Sequence, residues 1–136
     1  MENLVERCKG MAIAIYNELG SGFDEPVYQK AFEVCLRLEG IKYENLKIVP
    51  IYYKGFNIGE GKLDILVHDG DDSLVVELKA IGSVLSPKEE CQVKKYMEIL
   101  ELNTGLLINF PQAGRKGGAD TPEMVVITGG AKDHGS

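Results

Sequence analysis

"LVVELKAIG", residues 74–82, decides how the chain is read. Val75 and Val76 favour a strand, and the apolar residues around them mark a buried one. Yet Glu77 and Lys79 put opposite charges in its middle. A charge on a buried strand is costly unless it is paired or binds something. Strand side chains alternate, so Val75, Glu77 and Lys79 share one face, while Leu74, Val76, Leu78 and Ala80 share the other.

Working upstream, "KLDILVH" at 62–68 sets Asp64 among Leu63, Ile65 and Val67. "HDGDD" at 68–72 is a turn signal, so the two runs form a hairpin. Asp64 and Glu77 then converge if the pairing register allows it, and the sequence leaves the register open. Residues 42–53, with Ile48, Val49, Ile51, Tyr52 and Tyr53, form the strand before, closed by a turn at Lys54-Gly55. The next strand, 56–68, is interrupted near Gly59 and Gly61, and Tyr52 and Tyr53 are expected to pack. Downstream, Ser86-Pro87 opens a helix to about Glu101. "GLLINF" at 105–110 is a buried strand, 111–121 a Gly-rich loop with Arg115 and Lys116, and "MVVIT" at 124–128 an edge strand.

Two helices precede the strands. Leu4, Cys8, Met11, Ile15 and Leu19 recur at helical spacing, and Gly20 stops the run. Asp24 is the expected N-cap of the second helix, with Pro26 in its first turn. That helix carries Val27, Ala31, Cys35 and Leu38 on one face, and Gly40 ends it. The order α-α-β-β-β-α-β, with a last β, predicts an α/β protein with a mixed sheet of four or five strands flanked by helices. A single domain over 1–128 and a flexible tail over 129–136 are expected.

Composition narrows the class. The 136 residues suit one core, with 44% hydrophobic and 26% charged residues. A net charge of −6 argues against nucleic-acid binding driven by overall charge, though not against a local basic groove. Cys8, Cys35 and Cys91 are odd in number, widely spaced, and expected as helical core residues rather than a disulfide framework. His68 and His134 are too few for a zinc site. No apolar run approaches the ~20 residues of a membrane span. Glu2, Glu6, Arg7 and Lys9 in the first helix exclude a secretion signal, so a cytoplasmic location is expected.

Two carboxylates at one point resist ionisation, and a hard divalent cation removes that penalty. Such a cation makes bound water more acidic. Lys79 beside it would orient or activate the water and stabilise charge on a phosphate. The ordinary alternatives stand beside this reading. Glu77 and Lys79 make a cross-strand ion pair; Glu25 complements a helix dipole. Gln92 and Tyr96 share a helix face, with Tyr96 in the core and Gln92 at its edge. Lys88 and Lys95 meet phosphates or form a solvated face.

The pattern Asp64…Glu77-Leu78-Lys79 resembles the PD-(D/E)XK nuclease superfamily. "GFDEPVY", 22–28, resembles the defining motif of its GxxExxY family. "IYYKGFNIGEGKLDILV", "VVELKAI", "ECQVKKY" and "TGLLINF" follow in family order, so the resemblance covers about residues 11–110. It implies a restriction-endonuclease-like α/β/α core and Mg²⁺- or Mn²⁺-dependent cleavage of nucleic acid, DNA or RNA. By the same resemblance, Asp64 and Glu77 bind the metal, with the Leu78 carbonyl as a further ligand and Glu25 nearby through water. Lys79 is then the catalytic lysine, and Gln92 borders the site. Gly22 supplies a turn, and Tyr28 packs with a hydroxyl tether. A binding module without cleavage and a self-associating scaffold are the rival functions. The scaffold would form a homodimer through strands near 48–53 or 124–128. No membrane partner is expected.

Overall fold

Two tight turns and one helical crossover set the order of the first four strands. The computed structural model describes residues 3–112 and 121–129. Helices α1 (Leu4–Leu19) and α2 (Glu25–Leu38) lead into strands β1 (Lys42–Tyr53), β2 (Phe56–Asp69) and β3 (Asp72–Lys79). Helix α3 (Pro87–Leu100) then crosses over to β4 (Thr104–Asn109), and β5 (Glu123–Thr128) follows. Among the described residues the sheet has the order β1-β2-β3-β4-β5. β1, β2 and β3 form an antiparallel meander, β4 is parallel to β3, and β5 is antiparallel to β4. The parallel step needs a crossover, and α3 supplies it.

The turns have local causes. Lys54 and Gly55 both adopt positive φ, at 50° and 85°, as the tightest hairpins require. Helix α3 starts with a reciprocal capping box: Ser86 and Glu89 satisfy each other's free groups, worth about 1 kcal/mol. Gly22, at φ 110°, makes the turn between α1 and α2. Asp24 stands at the N-cap of α2 but makes no side-chain cap hydrogen bond.

The sheet is covered on both faces. Tyr28, Phe32 and Leu36 of α2 join Leu4, Cys8, Met11 and Ile15 of α1 over Ile65, Val67, Leu74, Val76, Leu78, Leu106 and Ile108. Val93, Tyr96 and Met97 of α3 cover Val49, Leu63, Leu66, Val75, Leu107 and Ile127 on the other face. Each fully buried large side chain contributes about 1.5–3 kcal/mol. Helix α3 sits close because β2 and β4 carry glycines under it: a Cβ at Gly61 would collide with the Tyr96 ring, and one at Gly105 with Met97 Sδ at 2.8 Å.

Several expectations are corrected. The core face of α2 is Tyr28, Phe32 and Leu36, one position on from the expected stripe. Val27 and Leu38 are exposed, because the helix turns its aromatic residues toward the sheet. Cys91 is exposed, not core; Cys35 is half-buried and Cys8 fully buried. Tyr52 and Tyr53 project into solvent rather than packing, since no other element among the described residues covers the end of that hairpin. β3 ends at Lys79, inside the quoted 74–82 stretch. Arg115, Lys116 and the tail from residue 130 lie outside the described residues. No helix among the described residues is long and apolar enough to cross a membrane.

Candidate active site

The ladder between β2 and β3 stops at Ile65 and Val76. Past that point the two strands part, and carboxylates fill the opening. The Asp64 N–H donates to Glu77 Oε1 at 2.8 Å. The Leu78 N–H donates to Asp64 Oδ2 at 2.7 Å. Each acid thus replaces a missing ladder bond with a charge-assisted one. Leu78 turns its N–H toward β2, so its carbonyl points into the same opening, whereas the Lys79 carbonyl accepts from Phe110 N–H on the β4 side at 2.9 Å.

Side-chain alternation also breaks here. Leu63 joins the layer under α3, yet Ile65, two residues on, joins the layer under α1 and α2. Asp64 sits at the change of face and is half-buried. That switch brings it near residues of α2 that a regular strand would keep on the far side of the sheet.

Burial sets the electrostatics. Glu77 is only 4% exposed. Desolvation first, and then the charge of Asp64, pushes its carboxyl up to about 8, while the Asp64 N–H and Lys79 oppose the rise. Burial likewise raises the Asp64 carboxyl, against the pull of the Leu78 N–H and Lys79. Glu25, at the start of α2, is raised by burial and then by Asp64, with Lys79 opposing. Glu25, Asp64, Glu77 and Lys79 therefore share one local field. Lys79 forms no ion pair within 4.0 Å among the described residues, which removes the cross-strand pair as its reason for being there.

A divalent cation can be tested against this donor set. Glu77 Oε2 and Asp64 Oδ1 accept no hydrogen bond among the described residues, although both acids are largely withdrawn from water. Orphaned carboxylate oxygens and a strand carbonyl on the same edge are the hard oxygen donors that Mg²⁺ or Mn²⁺ takes. The set fits such an ion. It is not a closed cage: no group of three or more His, Cys, Asp or Glu side chains among the described residues is gathered to hold a metal ion. Asp64 and Glu77 are the acids in direct contact, and Glu25 is their neighbour at longer range.

The remaining named residues divide clearly. Tyr28 is fully buried, donates to the Gly20 carbonyl at 2.6 Å and stacks on Phe110 at 4.4 Å between ring centroids. Tyr96 is core, under the sheet layer that α3 covers. Gln92 is exposed and makes no hydrogen bond to the acids among the described residues. It lies one turn along α3 from Glu89, whose charge Lys79 favours after the stronger effect of Ser86. Lys88 and Lys95 are exposed.

Three supports escaped the sequence. Gln29 Nε2 donates to the Asp64 carbonyl at 3.3 Å and to Glu33 Oε2 at 3.2 Å. Glu33, buried on α2, also accepts from Tyr43 and Asn45, both at 3.2 Å. Asn109 is fully buried and pins the loop after Lys79: it accepts from Ile81 N–H at 3.0 Å and donates to the Ser83 carbonyl at 3.1 Å. The signal for Asn109 was present, a lone amide inside an apolar strand; Gln29 and Glu33 gave none, being ordinary polar residues on a helix.

The family model of the PD-(D/E)XK nuclease superfamily matches residues 2–120. No curated protein matches the sequence. Two crystal structures resemble the fold. One is that of SSO0001, with TM-score 0.56 and 16% identity over 76% of this chain and 48% of that one. The chain thus spans about half of that structure's length. The other is an alkaline exonuclease, LHK-Exo, from Laribacter hongkongensis, with TM-score 0.51 and 15% identity over 94% of this chain and 72% of that one. The architecture is restriction-endonuclease-like.

Proposed function

The chain belongs to the PD-(D/E)XK nuclease superfamily, and on that premise we propose that it hydrolyses nucleic-acid phosphodiester bonds with Mg²⁺ or Mn²⁺. Within the superfamily we assign it to the GxxExxY branch, on Gly22, Glu25 and Tyr28. The observation that carries the reading is the opening between β2 and β3, where the buried Glu77 and the half-buried Asp64 each keep an oxygen without a partner among the described residues.

Asp64, Glu77 and the Leu78 carbonyl would hold the cation, with Glu25 reaching it through water. When bound, the cation supplies Lewis-acid stabilisation of charge on the phosphate and lowers the pKa of water. Lys79 orients the attacking water and offsets charge on the phosphate oxygens. Gln92 contacts the phosphate from α3. Gln29 and Asn109 position: one holds the backbone of Asp64, the other the loop leaving Lys79.

Incubation with single- and double-stranded DNA and RNA, plus Mg²⁺ or Mn²⁺, tests this. Cleavage should vanish with EDTA and in Lys79→Ala. No metal-dependent cleavage of any of the four defeats it. A second reading, a binding module without cleavage, draws on the absence of a closed cage among the described residues. Calorimetry separates the two: Mn²⁺ uptake by the wild type favours the nuclease, and none favours the module.

A further inference from the structure

The far end of the β1–β2 hairpin is an apolar surface that nothing covers among the described residues. Tyr52 and Tyr53 are each 61% exposed, Phe56 75%, Ile58 64% and Ile48 42%. A small protein rarely leaves so many large apolar groups together in water without a use for them. None of the three rings contacts another ring among the described residues. Tyr53 and Phe56 face each other directly across the strands and still do not stack. The Tyr53 ring instead carries the Lys54 ammonium 5.5 Å from its centroid.

This ribbon is continuous with the site. β2 runs from Phe56 past Asp64 as one strand, about 25 Å between the two at strand rise, with one bulge where the register shifts opposite Ile51 and Tyr52 and leaves Ile58 unpaired. Val49 lies under α3 opposite Gly61, so Ile48 and Lys62, paired with each other, take the opposite face, on the side of Glu25. By the same alternation Tyr52 continues that line toward the tip. Lys47 is paired with Glu44 at 3.3 Å, so the stretch beyond it holds Lys54 and Lys62 against Glu60, one positive charge in excess on a chain of net charge −6. Lys54 and Lys62 have no ion pair among the described residues.

Separated exposed rings with interspersed lysines match what unpaired bases and their phosphates need: π-faces to stack on and cations along the backbone. The stacked bases of a duplex offer no free faces to such a ribbon. We propose that residues 50–60 are a stacking arm for single-stranded nucleic acid, delivering the strand along β2 to Asp64. This rests on the nuclease reading and names its substrate class, an unpaired strand.

The test is binding without cleavage, measured by fluorescence anisotropy of labelled oligothymidylate in EDTA. The triple variant Tyr52→Ser, Tyr53→Ser, Phe56→Ser should bind more weakly by about tenfold or more for each ring that stacks. The chain has no tryptophan, so Tyr53→Trp installs a single reporter whose fluorescence the bound strand should quench. Unchanged affinity in the triple variant, or equal binding of a blunt duplex, overturns the arm. So does light scattering showing a wild-type dimer that the triple variant loses while its strand affinity stays; the ribbon is then an interface between copies. Failure of the nuclease reading looks different: arm-dependent binding with no metal-dependent cleavage sinks the enzyme and keeps the arm. Cleavage of single strands with unaltered KM in the triple variant sinks the arm and keeps the enzyme.

Discussion

Gln29 is tied to Asp64 across the boundary between helix and sheet, its Nε2 donating to the Asp64 carbonyl at 3.3 Å. The same amide is steadied by Glu33. Asp64 is therefore held twice, through its own carboxylate oxygen on Leu78 and through its backbone on α2.

Gln29→Ala should cost only about 0.5–1.5 kcal/mol of stability, the worth of one hydrogen bond. Its effect on Mn²⁺ affinity should be larger in proportion, with Gln29→Glu failing to restore it because it brings no donor. Urea unfolding and calorimetry on one preparation check this; a loss of stability with unaltered metal affinity removes Gln29 from the site.

Lys79→Ala should lower cleavage on the order of 10²–10⁴-fold, the usual range for a group that assists proton transfer or charge. Its fold should survive, since Lys79 is half-buried and unpaired among the described residues. Circular dichroism and single-turnover cleavage report the two halves of the prediction. Wild-type rates in the variant leave the lysine without a role.

Without metal, stability should fall as pH rises from about 4.5 to about 8. Glu77 is pushed up to about 8 in the folded chain, so across that window the folded state holds a proton that the unfolded state has released. The raised carboxyls of Asp64 and Glu25 act in the same direction. The change should be of the order of a few kcal/mol. Glu77→Gln, which keeps an oxygen for the Asp64 N–H, should flatten it. Urea midpoints in EDTA at both ends of the window decide; equal slopes for wild type and variant refute the assignment.

Metal uptake should expel protons for the same reason, and Mn²⁺ affinity should strengthen as pH rises toward the Glu77 value. Titration in two buffers of different ionisation enthalpy counts the protons. A pH-independent affinity would mean that Glu77 is not a ligand.

Gly105→Ala should destabilise by about 1–3 kcal/mol, because its Cβ would press on Met97 Sδ and Val93 and lift α3 from the sheet. Thermal melts of this variant beside the Gly10→Ala control, where a Cβ meets nothing within 4 Å, isolate the contact.

The order of the elements was legible because its signals are local: positive-φ turns, a proline-started helix, continuous apolar runs. The pairing of Asp64 with Glu77 was foreseeable only as a possibility of the hairpin. What fixed it was the change of face between Leu63 and Ile65, a property of strand bending that periodicity assumes away. The face of α2 was misjudged because Val27, Ala31, Cys35 and Leu38 make as regular a stripe as Tyr28, Phe32 and Leu36; bulk decided between them. Tyr52 and Tyr53 look like core residues by composition, and only the reach of the hairpin past every other element puts them in water.

Because pairing between β2 and β3 ends at Ile65 and Val76, the backbone of Glu77, Leu78 and Lys79 is laddered only to Leu107, Ile108 and Asn109. Those partners are translated some thirty residues later. A nascent chain leaving the ribosome carries its acids and lysine early but lacks the rail that lines them up. The opening between β2 and β3 therefore cannot take its final shape before β4 exists, and a chain released short of residue 109 holds the acids and the lysine unaligned.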